Sequence, residues 1–228
     1  MGTLFIVATP IGNLDDITYR AIDILSSVDV VACEDTRHTK VLLEHYNISK
    51  TLISFHQHSQ ISRIEEIIMM LKSGKNIALV SDAGTPGIND PGGVLVGEAI
   101  KRNIDIVPIP GPFTLATLLS VAGIAADKFM FLGFLPKKKG RATLFNQIKI
   151  QLEENSLNMP IVIYESPYRI LKTLDDFAKI GNFNVIIGRE LTKKFEQIIR
   201  GNITKVIAEI KNNKYKIKGE FVVCLNRE

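Results

Sequence analysis

Several short apolar runs in this 228-residue chain end in clusters of charged, hydroxyl and small residues, and the residue types limit the chemistry each cluster can do. Val28–Cys33 ends in Glu34-Asp35-Thr36-Arg37-His38, whose mixed charges can contact a polar ligand or serve as an ordinary helix cap. Ile77–Val80 ends in Ser81-Asp82-Ala83-Gly84-Thr85-Pro86-Gly87-Ile88-Asn89-Asp90-Pro91-Gly92-Gly93, with four Gly and two Pro in thirteen residues. Small residues let a backbone approach a ligand closely, and long irregular loops in compact domains are usually functional. Asp82 can counter a positive charge or bind a ribose hydroxyl. Pro110-Gly111-Pro112-Phe113-Thr114 opens a small-residue helix whose first amides lack intrahelical partners. Tyr164-Glu165-Ser166-Pro167-Tyr168-Arg169 and Gly188-Arg189-Glu190-Leu191-Thr192-Lys193-Lys194-Phe195-Glu196 each combine aromatic or apolar residues with both charges. Arg and Lys suit phosphate or carboxylate, and Tyr suits stacking. Lys137-Lys138-Lys139-Gly140-Arg141 is the densest positive run, able to grip a phosphate backbone or to stand as a solvated loop.

Other chemistries lack their residues. The turn after Leu4–Ala8, Thr9-Pro10-Ile11-Gly12-Asn13-Leu14-Asp15-Asp16, is not G-x-G-x-x-G, so neither a nicotinamide or flavin dinucleotide nor a Rossmann-type methyltransferase is expected. No P-loop or G-x-S-x-G elbow occurs. His56-Gln57-His58 lacks the clustered further ligands of a zinc site, so no metal is expected. Cys33 and Cys224 read as separate buried thiols of a reducing cytosol. No apolar run nears the roughly 20 residues a membrane span needs, and no basic region precedes the first apolar run as in a signal peptide. The net charge of +4 permits an anionic partner without requiring one.

The elements that position these loops alternate. Strands are expected at Leu4–Ala8, Val28–Cys33, Leu52–Phe55, Ile77–Val80 and Ile104–Ile109, with helices near Thr18–Ser26, Thr36–Tyr46, Ile61–Ser73 and Gly93–Arg102. Ile61, Ile64, Ile67, Ile68 and Leu71 carry one buried helical face, and Lys72-Ser73-Gly74-Lys75 closes it. Three prolines in Pro108–Pro112 break the chain. A helix at Thr114–Ala122 follows. Strands are then expected at Phe129–Phe134, Ile161–Tyr164, Val185–Ile187, Gln197–Arg200 and Phe221–Leu225, and helices at Arg141–Glu153, Arg169–Lys179 and Ile203–Lys211. The pattern predicts two α/β domains, 1–112 and 113–228, with mostly parallel sheets covered by helices. Ligands in such sheets sit beyond the strands' carboxyl ends, where the clusters above lie.

Taken in series, these segments resemble the tetrapyrrole methylase superfamily of S-adenosylmethionine-dependent enzymes, and most closely its ribosomal small-subunit RNA 2′-O-methyltransferase I family. The carrying motifs are Leu4–Leu14, Glu34-Asp35-Thr36-Arg37, Val80–Gly92, Pro108–Pro112, Phe131-Leu132-Gly133-Phe134-Leu135-Pro136, Tyr164–Arg169 and Gly188–Lys193. The resemblance implies a homodimer, a donor cleft between two α/β domains, and methylation of a cytidine 2′-oxygen in the decoding centre of 16S ribosomal RNA on the 30S subunit. It implies cofactor contacts at Pro10, Asp82, Ala83, Gly84, Thr85, Ile88, Phe113, Thr114, Leu115, Tyr164, Glu165 and Leu191. Longer family members carry an extra C-terminal segment, and its RNA contacts are not expected here.

Residue chemistry, rather than the resemblance, nominates the proton acceptor for a ribose hydroxyl: Asp35, Glu190 or Lys193. Arg37, Lys137, Lys138, Lys139, Arg141, Arg189 and Lys194 are the candidate RNA contacts. Two other classes compete: a tetrapyrrole C-methyltransferase of the same superfamily, and a non-catalytic RNA-binding assembly factor.

Overall fold

The computed structural model describes residues 1–56, 61–90, 92–154, 159–212 and 217–227. His58 of the paired histidines and Pro91 of the glycine-rich loop lie outside the described residues. The chain divides into two compact units, Met1–Phe113 and Thr114–Glu228.

The first unit runs β1 (Leu4–Val7), α1 (Tyr19–Ser27), β2 (Val30–Cys33), α2 (Thr36–His45), β3 (Thr51–Ser54), α3 (Ile61–Lys72), β4 (Ile77–Val80), α4 (Gly92–Lys101) and β5 (Ile106–Ile109). Its sheet, in the order β3-β2-β4-β1-β5, is parallel throughout. Alternate residues of β4 serve opposite faces: Ile77 and Leu79 join one cluster with Ile67 and Leu71 of α3, while Ala78 and Val80 join another with Leu25 and Leu43. Burial on both faces explains why the strands read as unbroken apolar runs. Each fully buried Ile or Leu on α3 contributes about 1.5–3 kcal/mol. Gly74, at φ +97°, turns the chain out of α3, as the Lys72–Lys75 signal predicts. Pro108 lies inside β5 rather than ending it. β5 is an edge strand, so the missing N–H removes no ladder bond on the open side.

The second unit runs α5 (Thr114–Ser120), β6 (Met130–Phe134), α6 (Arg141–Glu154), β7 (Ile161–Glu165), α7 (Ile170–Ala178), β8 (Phe183–Arg189), β9 (Gln197–Asn202), α8 (Ile203–Asn212) and β10 (Phe221–Arg227). The α/β class holds here too, but the sheet corrects the expectation of mostly parallel pairing. In the order β6-β7-β10-β8-β9, only β6 and β7 run parallel; β10 is antiparallel to β7 and β8, and β8 to β9. The link from Arg189 to Gln197 holds no helix and is too short for a parallel crossover, so the chain must double back. One face packs Ile161, Ile163, Val185, Ile187 and Val223 against Leu174, Phe177, Ile203 and Ile207. α5 packs on β10.

Candidate active site

In the first unit the loops after β1, β2, β4 and β5 meet. The Thr9 N–H donates to the Gly84 carbonyl at 2.9 Å and the Gly84 N–H returns a bond to Thr9 at 3.0 Å. The Thr9 hydroxyl donates to the Ser81 carbonyl at 3.0 Å. The Thr85 hydroxyl donates to the Pro112 carbonyl at 3.2 Å, which joins the β5 loop to the others. Gly84 sits at φ +81°, a conformation L side chains rarely adopt. Asp82 Oδ1 accepts the Asp35 N–H at 3.0 Å and so ties in the β2 loop. Asp90 Oδ1 accepts from the Gly87 and Gly92 N–H groups at 2.7 and 2.8 Å, holding the loop's far end against the start of α4.

Of the expected cofactor contacts in this unit, Pro10 and Gly84 are buried, Asp82, Thr85 and Phe113 are half-buried, and Ala83 and Ile88 are exposed. Thus Ala83 and Ile88 present themselves to solvent on a scaffold that Thr9, Asp90 and Pro112 hold in place. Beneath the loop a small pocket of about 10 Å³, room for about one water molecule, is lined by Glu34, Phe55, Leu79, Ser81, Pro86, Asp90 and Gly92. Burial raises the Glu34 pKa, and the neighbouring Asp82 and Asp90 charges raise it further against an opposing pull from His56. Glu34 lies in a motif that the sequence singles out, next to the candidate Asp35. The signal that finds it is its cavity, and that depends on Asp90, fifty-six positions away.

Asp35 does something else. It caps α2, accepting the Arg37 N–H at 2.9 Å, and its carboxylate also takes Arg37 Nη2 at 2.7 Å. The Arg37 side chain beside it holds the Asp35 carboxyl well below the usual carboxylate range. That makes Asp35 a weak proton acceptor, so the structure favours the capping reading of this residue. Arg37 remains 90% exposed and available to an anion.

In the second unit Tyr164, Thr114 and Leu115 come together. Burial raises the Tyr164 pKa, while a hydrogen bond with the Thr114 side chain and one from the Leu115 backbone oppose it. Glu165, adjacent to Tyr164, turns inward. Its side chain is fully buried and accepts from Arg169 Nε at 2.8 Å, the Thr173 hydroxyl at 2.7 Å and the Ser166 N–H at 2.7 Å. Leu191 is buried as well; a Cβ on Gly188 would lie 3.0 Å from both Leu191 and Leu118. The Glu165 carboxylate thus ties the end of β7 to α7, and the Leu191 side chain packs inside the β8–β9 loop.

That loop is strained: Glu190 and Thr192 have φ of 50° and 64°, and Thr is β-branched. Lys193 bridges Glu190 at 3.1 Å and Glu220 at 2.7 Å. The Glu220 N–H also donates to Glu190 at 2.9 Å. Burial pulls the Lys193 pKa down, but Glu220 and Glu190 outweigh it and raise it. Burial pushes Glu190 up, yet the Glu220 N–H and Lys193 leave it lowered. An ammonium stabilised by two carboxylates is the reverse of a neutral lysine base. Glu190 and Lys193 fasten the loop to the start of β10, and this ion pair disfavours Lys193 as the proton acceptor.

The basic candidates divide by burial. Lys137, Lys138, Lys139 and Lys194 are exposed. Arg141 is buried and engages Asp176 at 2.9 Å, Thr173 at 3.0 Å and the Pro136 carbonyl at 3.2 Å. Arg189, also buried, engages the Lys218 carbonyl and Gln197. These two arginines are corrected from RNA contacts to internal ties. Both cysteines are buried and unpaired, and burial pushes the Cys224 thiol up to about 11. No described helix is long and apolar enough to cross a membrane.

Residues 3–207 match the tetrapyrrole (corrin/porphyrin) methylases, the class that this pair of α/β units and the loops of the first unit define. A ribosomal RNA small subunit methyltransferase I of Hydrogenobaculum sp. (strain Y04AAS1) is 46% identical, over 99% of this chain and 96% of that protein. A Thermotoga maritima protein of the same name is 44% identical, over 99% of both chains. A solved uroporphyrin-III C-methyl transferase from Thermus thermophilus, complexed with S-adenyl homocysteine, shares the fold with a TM-score of 0.65 at 13% identity, covering 98% of this chain and 97% of that one. The chain belongs to the tetrapyrrole methylases and, within them, to the ribosomal RNA small subunit methyltransferase I family.

Proposed function

We propose that this protein transfers a methyl group from S-adenosylmethionine to the ribose 2′-oxygen of a cytidine in the decoding region of 16S ribosomal RNA on the 30S subunit. The observation that carries the reading is identity of 46% along 99% of the chain with a protein named for ribosomal RNA methylation.

The first unit's loops fit the donor. Ala83 and Ile88 are exposed to a nucleoside, and Gly84, Thr85 and Asp90 keep the loop's backbone in one conformation. Asp82 has an oxygen beyond the one bonded to the Asp35 amide, suited to a hydroxyl or a cationic group. In the second unit Thr114, Leu115 and Tyr164 offer a further polar group. When bound, S-adenosylmethionine supplies a methyl carbon on a sulfonium, whose charge is lost as the C–O bond forms and the C–S bond breaks. The protein's main work is then alignment, worth at most about 7–11 kcal/mol of barrier. Glu34 accepts the 2′-hydroxyl proton: it is half-buried at the end of β2, and burial with the neighbouring Asp82 and Asp90 raises its pKa, which suits a general base. Arg37, exposed at the same strand end, holds a phosphate.

The test is transfer from labelled S-adenosylmethionine to 30S subunits lacking their own methylation, with the product mapped by resistance to alkaline cleavage. Label on one decoding-region cytidine beside a resistant phosphodiester is expected. Donor binding with no transfer to 30S subunits or free 16S RNA, but with turnover of a corrin precursor, would overturn the RNA reading. RNA binding without donor affinity would leave an assembly factor.

A further inference from the structure

The second unit carries an exposed aromatic and basic surface beside Tyr164, whose ring meets that of Phe134 edge-on at 5.6 Å. β6 and β7 are parallel neighbours with Phe134 opposite Tyr164, so the segments that leave their carboxyl ends start side by side. Phe134 is 58% exposed and Tyr168 is 96% exposed. Between them in sequence lie Lys137, Lys138 and Lys139, all exposed and without an ion pair among the described residues.

Both segments are fixed from below. Arg169 Nη2 donates to the Leu135 carbonyl at 2.8 Å, and Arg141 Nη1 donates to the Pro136 carbonyl at 3.2 Å. The two guanidinium groups are held in turn by Glu165, Thr173 and Asp176. The lysine loop thus leaves a clasped pair of carbonyls, and Tyr168 stands one residue before the arginine that does the clasping. A tyrosine ring this exposed adds nothing to a core, while the bonds beneath it reduce the ordering cost of a contact above it.

We propose that Tyr168, with Phe134 and Lys137–Lys139, forms a subsite for single-stranded RNA, in which an unpaired base stacks on Tyr168 and adjacent phosphates lie against the lysines. Aromatic faces combined with cations that track a backbone are the means by which single strands are held without sequence readout. A duplex offers phosphates to the lysines but no free base face to the ring. The inference rests on the ribosomal RNA reading and deepens it: the RNA near the target nucleotide must be unpaired where it crosses this surface.

The experiment compares wild type, Tyr168→Ala, Tyr168→Phe and the combined Lys137→Ala, Lys138→Ala, Lys139→Ala variant. The probes are a fluorescent single-stranded oligocytidine of about twelve nucleotides, sized for such grooves, and a duplex of equal length. Donor affinity on each variant reports folding. Tyr168→Ala is expected to weaken single-strand binding about tenfold and Tyr168→Phe to bind as wild type. Duplex binding should be indifferent to Tyr168, and the lysine variant should lose affinity for both probes. On 30S subunits Tyr168→Ala should raise KM with kcat within about twofold of wild type. Unchanged oligonucleotide binding by Tyr168→Ala, or a wild type that prefers the duplex, overturns the subsite even if 30S methylation is intact. Loss of single-strand binding in Tyr168→Ala alongside a wild type that never methylates 30S subunits sustains the subsite and sinks the substrate reading instead.

Discussion

A carboxylate helps methyl transfer to a hydroxyl by accepting a proton, and that demand separates Glu34 from its neighbour. Asp35 is ionised and satisfied by Arg37. Glu34 faces a cavity with two other acids nearby and holds its proton more readily. The active form is deprotonated, so kcat/KM should fall with decreasing pH through a midpoint above that of an ordinary glutamate. Glu34→Gln should lower kcat by about 10² or more and remove that acidic limb, with donor affinity kept. A Gln variant within threefold of wild type would return the base assignment to open competition. At Glu165 the same side-chain chemistry has a different consequence. Its carboxylate is buried against Arg169 and Thr173, so Glu165→Ala leaves Arg169 without its partner. Urea unfolding should show a loss of about 3–5 kcal/mol. A loss below about 1 kcal/mol would mean that water replaces the carboxylate.

At the scale of elements, the glycine-rich loop proposed to hold the donor is a strand-to-helix connection whose shape depends on one acid. Asp90 holds the Gly87 and Gly92 amides, so Asp90→Ala should free both and weaken S-adenosylmethionine binding about tenfold or more, since a bond to a charged group contributes about 1.5–3 kcal/mol. Calorimetric titration of the donor reads this directly, and an unchanged Kd would show that α4 alone shapes the loop. The loop itself was legible in the sequence because Gly84, Pro86, Gly87 and Gly92 are local signals. So was the first sheet, since apolar strands alternating with helices carry their own period. The second sheet was misread where alternation lapsed: no helix separates Gln197 from Arg189, and that gap marks an antiparallel turn. The charged residues were least legible. Arg141 looks like part of a basic run until Asp176, thirty-five positions away, is packed beside it. Lys193 looks like a free amine until Glu220, twenty-seven positions away, closes on it. Spacing along a chain reports neighbours within an element, and these partners come from other elements.

For the whole molecule, the net charge of +4 understates what an RNA would meet, because burial sorts the cations. Arg141, Arg169 and Arg189 are internally bonded, and Arg102 is paired with Glu65 and Glu98. Lys137, Lys138 and Lys139 are left at the surface, and Lys194 lies exposed over the Phe195 ring. If three or four of these lysines neutralise phosphates on a single strand, log K should fall with log salt with a slope of about −2 to −3. Between 50 and 200 mM salt that is roughly a 15- to 60-fold loss of RNA affinity. A small donor bound as proposed at the first unit's loops makes no use of these lysines, so its Kd should move less than about twofold over the same range. Measuring both constants on one preparation separates the two recognition modes. A donor affinity that falls in step with RNA affinity would place the lysines' field, rather than phosphate contact, at the origin of both. An RNA slope near zero would show that the exposed lysines do not meet phosphate at all.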